Sequence, residues 1–303
     1  MTHTERPDAA LTNPISDRVK SVRRLSGRSA RLRAGRFVVE GPQSVREAVR
    51  RGVGVHELFA TDEAMLRQPE IVELAHAAGL AVRPASSEVI AAMADTVTPQ
   101  GWLAVCDLIE DRLDDVLTAR PRLLAVLSQV RDPGNAGTVI RAADAAGADA
   151  VLLTESSVDV HNSKCVRSTA GSLFHLPVVQ GLPLKEIVDA ARAGGLSVFA
   201  ADGAGALDLD ELQDDPARPL ARPTMWVFGN EAWGLPDDAL ALMDGVVRVP
   251  VHGHAESLNL ATAATVCLYA SARAQRHGAQ ARGTQPGGTQ PGGAQRHGSQ
   301  ARD

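Results

Sequence analysis

Residues 123–130, LLAVLSQV, constrain this chain more than any other segment. A run nearly continuous in apolar side chains has no polar face to offer solvent, which is the pattern of a strand covered on both sides inside a parallel sheet. Parallel strands need crossover connections, so helices must follow. They do: short apolar runs at 150–153, 197–200, 225–228 and 246–249 alternate with alanine-rich stretches. This predicts a parallel sheet wrapped by helices. Ligands of such sheets bind at the carboxyl ends of the strands, so the residues just after each strand carry the functional weight.

A smaller α/β pattern precedes it. Strands are predicted at 36–40, 55–60, 81–83 and 102–108. Helices fall at 42–51, with proline at its start, at 63–78, stopped by Gly79, and from near Ser86 onward. Residues 109–122 break the apolar pattern with charge and end in Arg-Pro-Arg, which marks a boundary. The expected organisation is a polar tail at 1–12, a first domain at 13–108, a linker at 109–121, a second domain at 122–274 and a tail at 275–303. That last tail repeats Gly-Thr-Gln-Pro-Gly and Ala-Gln-Arg-His-Gly and is too poor in apolar residues to offset its ordering entropy.

Composition excludes several classes. No apolar run reaches the 18 or so residues a membrane span needs, and the polar N-terminus lacks a secretion signal, so a cytoplasmic protein is expected. Cys106, Cys165 and Cys267 lie far apart, without a CxxC pair, and read as buried small residues in a reducing compartment. His252 and His254 have no third ligand nearby, so no metal is expected. The net charge of −5 conceals a local excess of the opposite sign: Arg18, Lys20, Arg23, Arg24, Arg28, Arg31, Arg33 and Arg36 occur with no acidic residue among them. The first seven are read as a footprint for a nucleic-acid backbone; a solvated helix face is the alternative.

Three polar segments sit at predicted strand ends. The first, Arg131-Asp132-Pro133-Gly134-Asn135-Ala136-Gly137, leads into a helix bearing Arg141. With a helix starting near Gly137, Arg141 would lie one turn in, as an ion-pair partner of Asp144 or a phosphate hook. The second runs from Phe228 through Gly229, Asn230, Glu231, Ala232, Trp233 and Gly234 to Leu235 and Pro236. Its glycines admit close approach of backbone to a ligand, although a tight loop accounts for them equally well. The third, from Val249 to Asn259, offers Ser257 as an N-cap with Asn259 in the first helical turn.

In order and spacing these segments resemble the three motifs of the SpoU (TrmH-like) branch of the SPOUT methyltransferases. The matching residues are Asn135, Gly137 and Arg141; Gly229 to Leu235; and Pro250 with Ser257-Leu258-Asn259. Phe37-Val38-Val39-Glu40-Gly41 and Ser44-Val45-Arg46-Glu47-Ala48 resemble the L30e-like substrate-binding domain that often precedes that catalytic domain. The resemblance implies a deep trefoil knot and S-adenosylmethionine bound in the knotted crevice. It places cofactor contacts at Gly229, Val249 and Leu258, with Ser257 and Asn259 nearby, and catalytic or substrate-side roles at Arg141, Asn135 and Glu231. It further implies a homodimer whose active site draws on both chains, and methyl transfer to a ribose 2′-hydroxyl of a structured ribosomal or transfer RNA, the N-terminal domain favouring ribosomal RNA. Arg141 would act as a base tuned by a neighbouring phosphate or, since a guanidinium stays charged at neutral pH, as a clamp that stabilises the forming alkoxide.

Three rivals stand beside this reading. A non-catalytic RNA-binding or ribosome-assembly protein leaves the polar strand-end segments unexplained. A nucleotide-binding oxidoreductase is suggested by Gly203-Ala204-Gly205, which lacks the full GxGxxG. A SPOUT enzyme that methylates a base nitrogen differs only through the motif match.

Overall fold

The computed structural model describes residues 10–283, with side chains through Arg276. The first domain comprises α1 (Asp17–Arg24), α2 (Arg28–Ala34), β1 (Arg36–Glu40), α3 (Pro42–Arg51), β2 (Val55–Ala60), α4 (Asp62–Arg67), α5 (Pro69–Ala77), β3 (Val82–Pro84), α6 (Ser87–Met93) and β4 (Trp102–Asp107). Its sheet runs β1-β4-β2-β3, antiparallel except between β2 and β3. Hydroxyls of Ser16, Thr61 and Ser86 accept first-turn N–H groups and so start α1, α4 and α6. The single helix expected over 63–78 is instead two. Gln68 leaves helical geometry, and Pro69, with no N–H to continue the ladder, opens α5.

The second domain adds α7 (Leu113–Thr118), β5 (Leu123–Leu127), α8 (Pro133–Ala146), β6 (Ala150–Thr154), α9 (Ser163–Ser168), β7 (Val178–Leu182), α10 (Leu184–Ala193), β8 (Ser197–Ala201), β9 (Leu207–Asp208), α11 (Leu209–Asp214), β10 (Thr224–Phe228), α12 (Asp237–Leu240), β11 (Gly245–Arg248) and α13 (Leu260–Gly283). The sheet order is β7-β6-β5-β10-β8-β11-β9, and every pairing is parallel. β5 is buried at every position, as its apolar run requires. Two strands escape the sequence reading. β7 is an edge strand whose second half, Gln180-Gly181, breaks the apolar pattern, and β9 is only two residues long.

Both tails and the linker need correction. Leu11 is buried, its N–H donating to the Pro84 carbonyl at 2.8 Å and its carbonyl accepting from Ser86 at 3.0 Å, so packed chain begins before residue 12; residues 1–9 lie outside the described residues. The linker at 109–121 contains α7, which buries Leu113 and Val116 against the second domain's core. At the other end, α13 continues through the expected tail to Gly283. Gln275 is buried and donates to the Arg122 and Arg222 carbonyls at 2.9 and 3.0 Å. The remainder of that tail, 284–303, lies outside the described residues.

The two sheets share one of the three apolar clusters, and each keeps another of its own. Phe37 of β1 packs on His161 and Phe174 of the second domain, with ring centroids 4.7 and 6.5 Å away. Polar groups along this seam are paired. Glu40, buried, accepts from the Asp95 and Thr96 N–H groups at 2.9 and 3.3 Å and from Arg167 at 3.2 Å. His175 sits between Asp144 at 2.7 Å and Glu47 at 3.3 Å. Partial burial works against its charge, but the two carboxylates prevail and raise its pKa. All three cysteines are buried, which pushes their thiols up to about 12. No helix among the described residues is long and apolar enough to cross a membrane.

Candidate active site

The site is assembled at the carboxyl ends of β5, β8, β10 and β11. After β5, Asp132 caps α8 by accepting the Asn135 N–H at 2.8 Å, with Pro133 as the first helical residue. α8 therefore starts four residues before the expected Gly137, and Arg141 lies about two turns in, rather than one. The other Asp132 oxygen accepts from Lys164 at 2.9 Å; this ion pair, with the cap, holds the Asp132 carboxyl below the usual carboxylate range. Gly137 serves packing. A Cβ there would lie 2.5 Å from the Cys165 carbonyl oxygen, so its absence lets α9 rest on α8.

After β10 the chain makes a tight loop closed by reciprocal bonds: Asn230 N–H to the Gly234 carbonyl and Gly234 N–H to the Asn230 carbonyl, both 2.9 Å. Gly234 has φ +67°, and a Cβ on Gly229 would fall 2.4 Å from the Gly234 carbonyl carbon, so both glycines are required by the loop itself. The buried Asn230 amide donates to the Gln129 carbonyl at 2.7 Å and ties this loop to the end of β5. Its neighbour Glu231 accepts from the backbone N–H groups of Arg131 and Asp132 at 3.3 and 3.2 Å and from the Asn135 amide at 3.2 Å. The Asn135 oxygen in turn accepts from Asn259 at 3.1 Å. Asn259, not Ser257, caps α13, its oxygen taking the Ala261 and Thr262 N–H groups at 2.9 and 3.3 Å. One hydrogen-bonded line thus joins the three sequence segments.

That line forms part of the wall of a cavity of about 740 Å³. Gly229, Val249, Leu258, Ser257 and Asn259, with Asn135 and Glu231, all line it. Arg141 does not. It is exposed on α8 and makes no hydrogen bond or ion pair among the described residues, while Asp144, its expected partner, is engaged by His175. The sequence reading missed Asp202, Arg248 and Glu256. Asp202 directly follows β8, so the strand-end rule itself was signal enough to find it. Three carboxylates, Asp202, Glu231 and Glu256, face this space against one guanidinium, Arg248, which is held by Asp208 at 3.0 Å and the Gly205 carbonyl at 3.2 Å. Such a wall attracts cations and repels phosphates. Gly205 lets β11 approach, since a Cβ would sit 2.7 Å from the Val246 oxygen, so Gly203-Ala204-Gly205 is not a phosphate cradle. Among the described residues, no cluster of His, Cys, Asp or Glu is arranged to hold a metal ion.

The basic segment divides. Lys20, Arg23, Arg24, Arg28 and Arg33 are exposed on α1, α2 and the turn between them. Arg18 is half-buried and paired with Glu57. Arg31 is only 3 % exposed and must be removed from the nucleic-acid footprint. Its guanidinium bonds the Leu25 and Ser26 carbonyls at 3.0 and 2.7 Å and Asp159 of the second domain at 2.8 Å. Burial opposes the charge on Asp159, yet bonds from His161 and Arg31 hold its carboxyl well below the usual range.

A parallel α/β sheet with a polar crevice at its strand ends, coupled to a smaller mixed-sheet domain, defines a two-domain protein with a small-molecule site beside a docking module. The chain belongs to the SpoU rRNA Methylase family, whose profile matches residues 122–269; the profile of the MRM3-like substrate binding domain matches residues 16–104. It is similar to the 23S rRNA (guanosine(2553)-2'-O)-methyltransferase RlmP of Bacillus subtilis, at 35 % identity over 254 residues, covering 84 % of this chain and 95 % of that protein. Among solved structures, the AdoMet-bound rRNA methyltransferase from Sinorhizobium meliloti superposes with a TM-score of 0.76 at 28 % identity, covering 88 % of this chain and 98 % of that one. The SpoU methyltransferase AviRb from Streptomyces viridochromogenes, in complex with AdoMet, gives a TM-score of 0.73 at 32 % identity and covers 87 % of this chain and all (100 %) of that one.

Proposed function

We propose that this chain is an S-adenosylmethionine-dependent methyltransferase that acts on a ribose 2′-hydroxyl of ribosomal RNA, as a homodimer in the cytoplasm. The observation that carries the reading is the line Asn259–Asn135–Glu231 on the wall of a carboxylate-bounded cavity. The cavity suits the cofactor. Its volume lies in the range of small-molecule sites, Val249, Pro250, Leu258 and Ala263 offer an apolar bed for an adenine ring, and Asp202 and Glu256 favour a ligand bearing ammonium and sulfonium charge. Gly229, Val249 and Leu258 contribute backbone, with Ser257 and Asn259 beside them. When bound, S-adenosylmethionine supplies a methyl group on positively charged sulfur.

The chain's own residues orient the attacking hydroxyl. Glu231 already accepts three hydrogen bonds, so it positions Asn135 and the backbone at 131–132 rather than taking the proton itself. Arg141 does not reach the cavity of its own chain, and a second copy brings it there. There it clamps the nucleotide phosphate and stabilises the 2′-oxygen as its proton passes to solvent water and the oxygen gains charge. Val266 and Tyr269, exposed on α13, supply apolar surface for that dimer; the Tyr269 hydroxyl donates to the Ala145 carbonyl of α8 at 3.4 Å. β10 enters between β5 and β8, and β11 between β8 and β9, strands laid down earlier, an order that suits a C-terminal trefoil knot. The exposed part of the basic segment and the first domain hold the RNA.

The test is methyl transfer from labelled S-adenosylmethionine to 23S rRNA from a strain lacking the gene, with the product mapped for ribose methylation. A modified base would make the chain a base methyltransferase. RNA binding without cofactor binding by calorimetry would make it a binding module.

A further inference from the structure

Of the three tryptophans, Trp102 and Trp226 are fully buried, whereas Trp233 is 51 % exposed. Leaving half of so large an aromatic surface in water forgoes on the order of 1–2 kcal/mol of burial, an unusual choice in a chain with only 3 % aromatic residues. Its location is specific. Trp233 lies in the loop that carries Glu231, just outside the residues lining the cavity, and the Asn230–Gly234 bonds fix the loop on either side. The guanidinium of Arg131 lies over the ring, 5.1 Å from its centroid, and the Arg131 N–H is bonded to Glu231. Arg131 is itself exposed, so a cation and an aromatic plane stand together at the rim, tied to the line that forms the cavity wall.

We propose that Trp233, backed by Arg131, is the platform on which a base of the RNA stacks while its ribose turns toward Asn135 and Glu231. This deepens the reading above and rests on it. A 2′-hydroxyl reaches a recessed methyl donor only when its nucleotide is unstacked from its neighbours, and an aromatic face replaces the stacking that is lost. Every base has a π-face, so this platform orients the nucleotide without reading its identity. Arg131 adds charge for the adjoining phosphate and holds the ring through a cation–π contact.

Two measurements test it. Trp233→Ala should lower kcat/KM for 23S rRNA by about 5- to 150-fold, the range of one lost base–aromatic stack, with S-adenosylmethionine affinity unchanged and most activity kept in Trp233→Phe. Titration with a mixed-sequence single-stranded oligoribonucleotide should quench wild-type tryptophan fluorescence, a quench absent from Trp233→Phe, whose two remaining tryptophans are buried. Activity of Trp233→Ala within twofold of wild type, or an equal quench in Trp233→Phe, overturns the proposal. Loss of the dimer in Trp233→Ala, seen by sedimentation, also overturns it and assigns the ring to a subunit contact. Should the wild type transfer no methyl to rRNA, the functional reading falls by itself, and the fluorescence titration alone decides the stacking.

Discussion

The seam between the domains and the crevice at the strand ends are both built from charged and amide side chains, yet they are finished differently. At the seam Arg31, Asp159, Glu40 and Arg167 are buried or largely so, and their bonds are made within the chain. At the crevice the line Asn259–Asn135–Glu231 is partly exposed and Asp202 and Glu256 face open space, and outside it, on α8, Arg141 has no partner among the described residues. The difference teaches where to look for function. Polar groups closed off from solvent by one another hold structure, and those that keep a face open to a concave surface can still meet a ligand.

Substitution should separate the two regions, beginning with the largest effect. Arg31→Ala leaves Asp159 with His161 alone and frees the Leu25 and Ser26 carbonyls, and should cost about 3–5 kcal/mol of stability by urea denaturation, the scale of breaking a buried ion pair. A cost below about 1 kcal/mol would return Arg31 to the surface class. Arg141→Ala should leave the melting temperature and S-adenosylmethionine affinity unchanged while reducing methyl transfer by roughly two orders of magnitude or more, as for loss of one charge-stabilising group. Near-normal turnover would deprive Arg141 of its catalytic assignment. Neutralising Arg23, Arg24 and Arg28 together should weaken RNA binding and flatten its salt dependence by roughly two units of slope, leaving stability alone. An unchanged slope would mark these arginines as a solvated face.

The smallest effect belongs to pH. The raised pKa of His175 means its two carboxylate contacts favour the folded state while the ring is charged. That contribution is complete below the unfolded value of about 6.5 and is lost as pH rises through the higher folded value. His175→Asn should therefore destabilise the protein in mildly acidic buffer, by less than about 1 kcal/mol at this half-exposed site, and progressively less as pH rises through the folded value. Equal destabilisation across that range would mean the ring acts by packing.

The strands and the three motif segments were legible because they depend on local pattern. Apolar runs announce β5, β6 and β10, and the strand-end rule then selects the 131–137, 228–236 and 249–259 segments. The start of α8 was also there to be read, since Asp132-Pro133 is a cap followed by a first-turn proline. What depends on distant partners was not. Arg31 is chemically identical to Arg28 and Arg33, and its burial among the Leu25 and Ser26 carbonyls and Asp159, the last 128 residues away in sequence, makes it structural. The capping role of Asn259 instead of Ser257 depends on where α13 begins, a boundary that nearby residues specify weakly.

The rings of Phe37, His161 and Phe174 bear on modularity. Family profiles divide the chain near residue 110, as though the halves were interchangeable parts. The apolar packing crosses that division on one side, where a continuous cluster takes side chains from both sheets, while each domain also keeps a cluster of its own. Neither half is therefore a portable cartridge: to lift one away would leave a greasy wound on the other, and grafting a foreign reader onto this catalyst means rebuilding the joint as well as the sequence on each side. The two domains accordingly move as one mechanical piece where Phe37 of one is locked between His161 and Phe174 of the other.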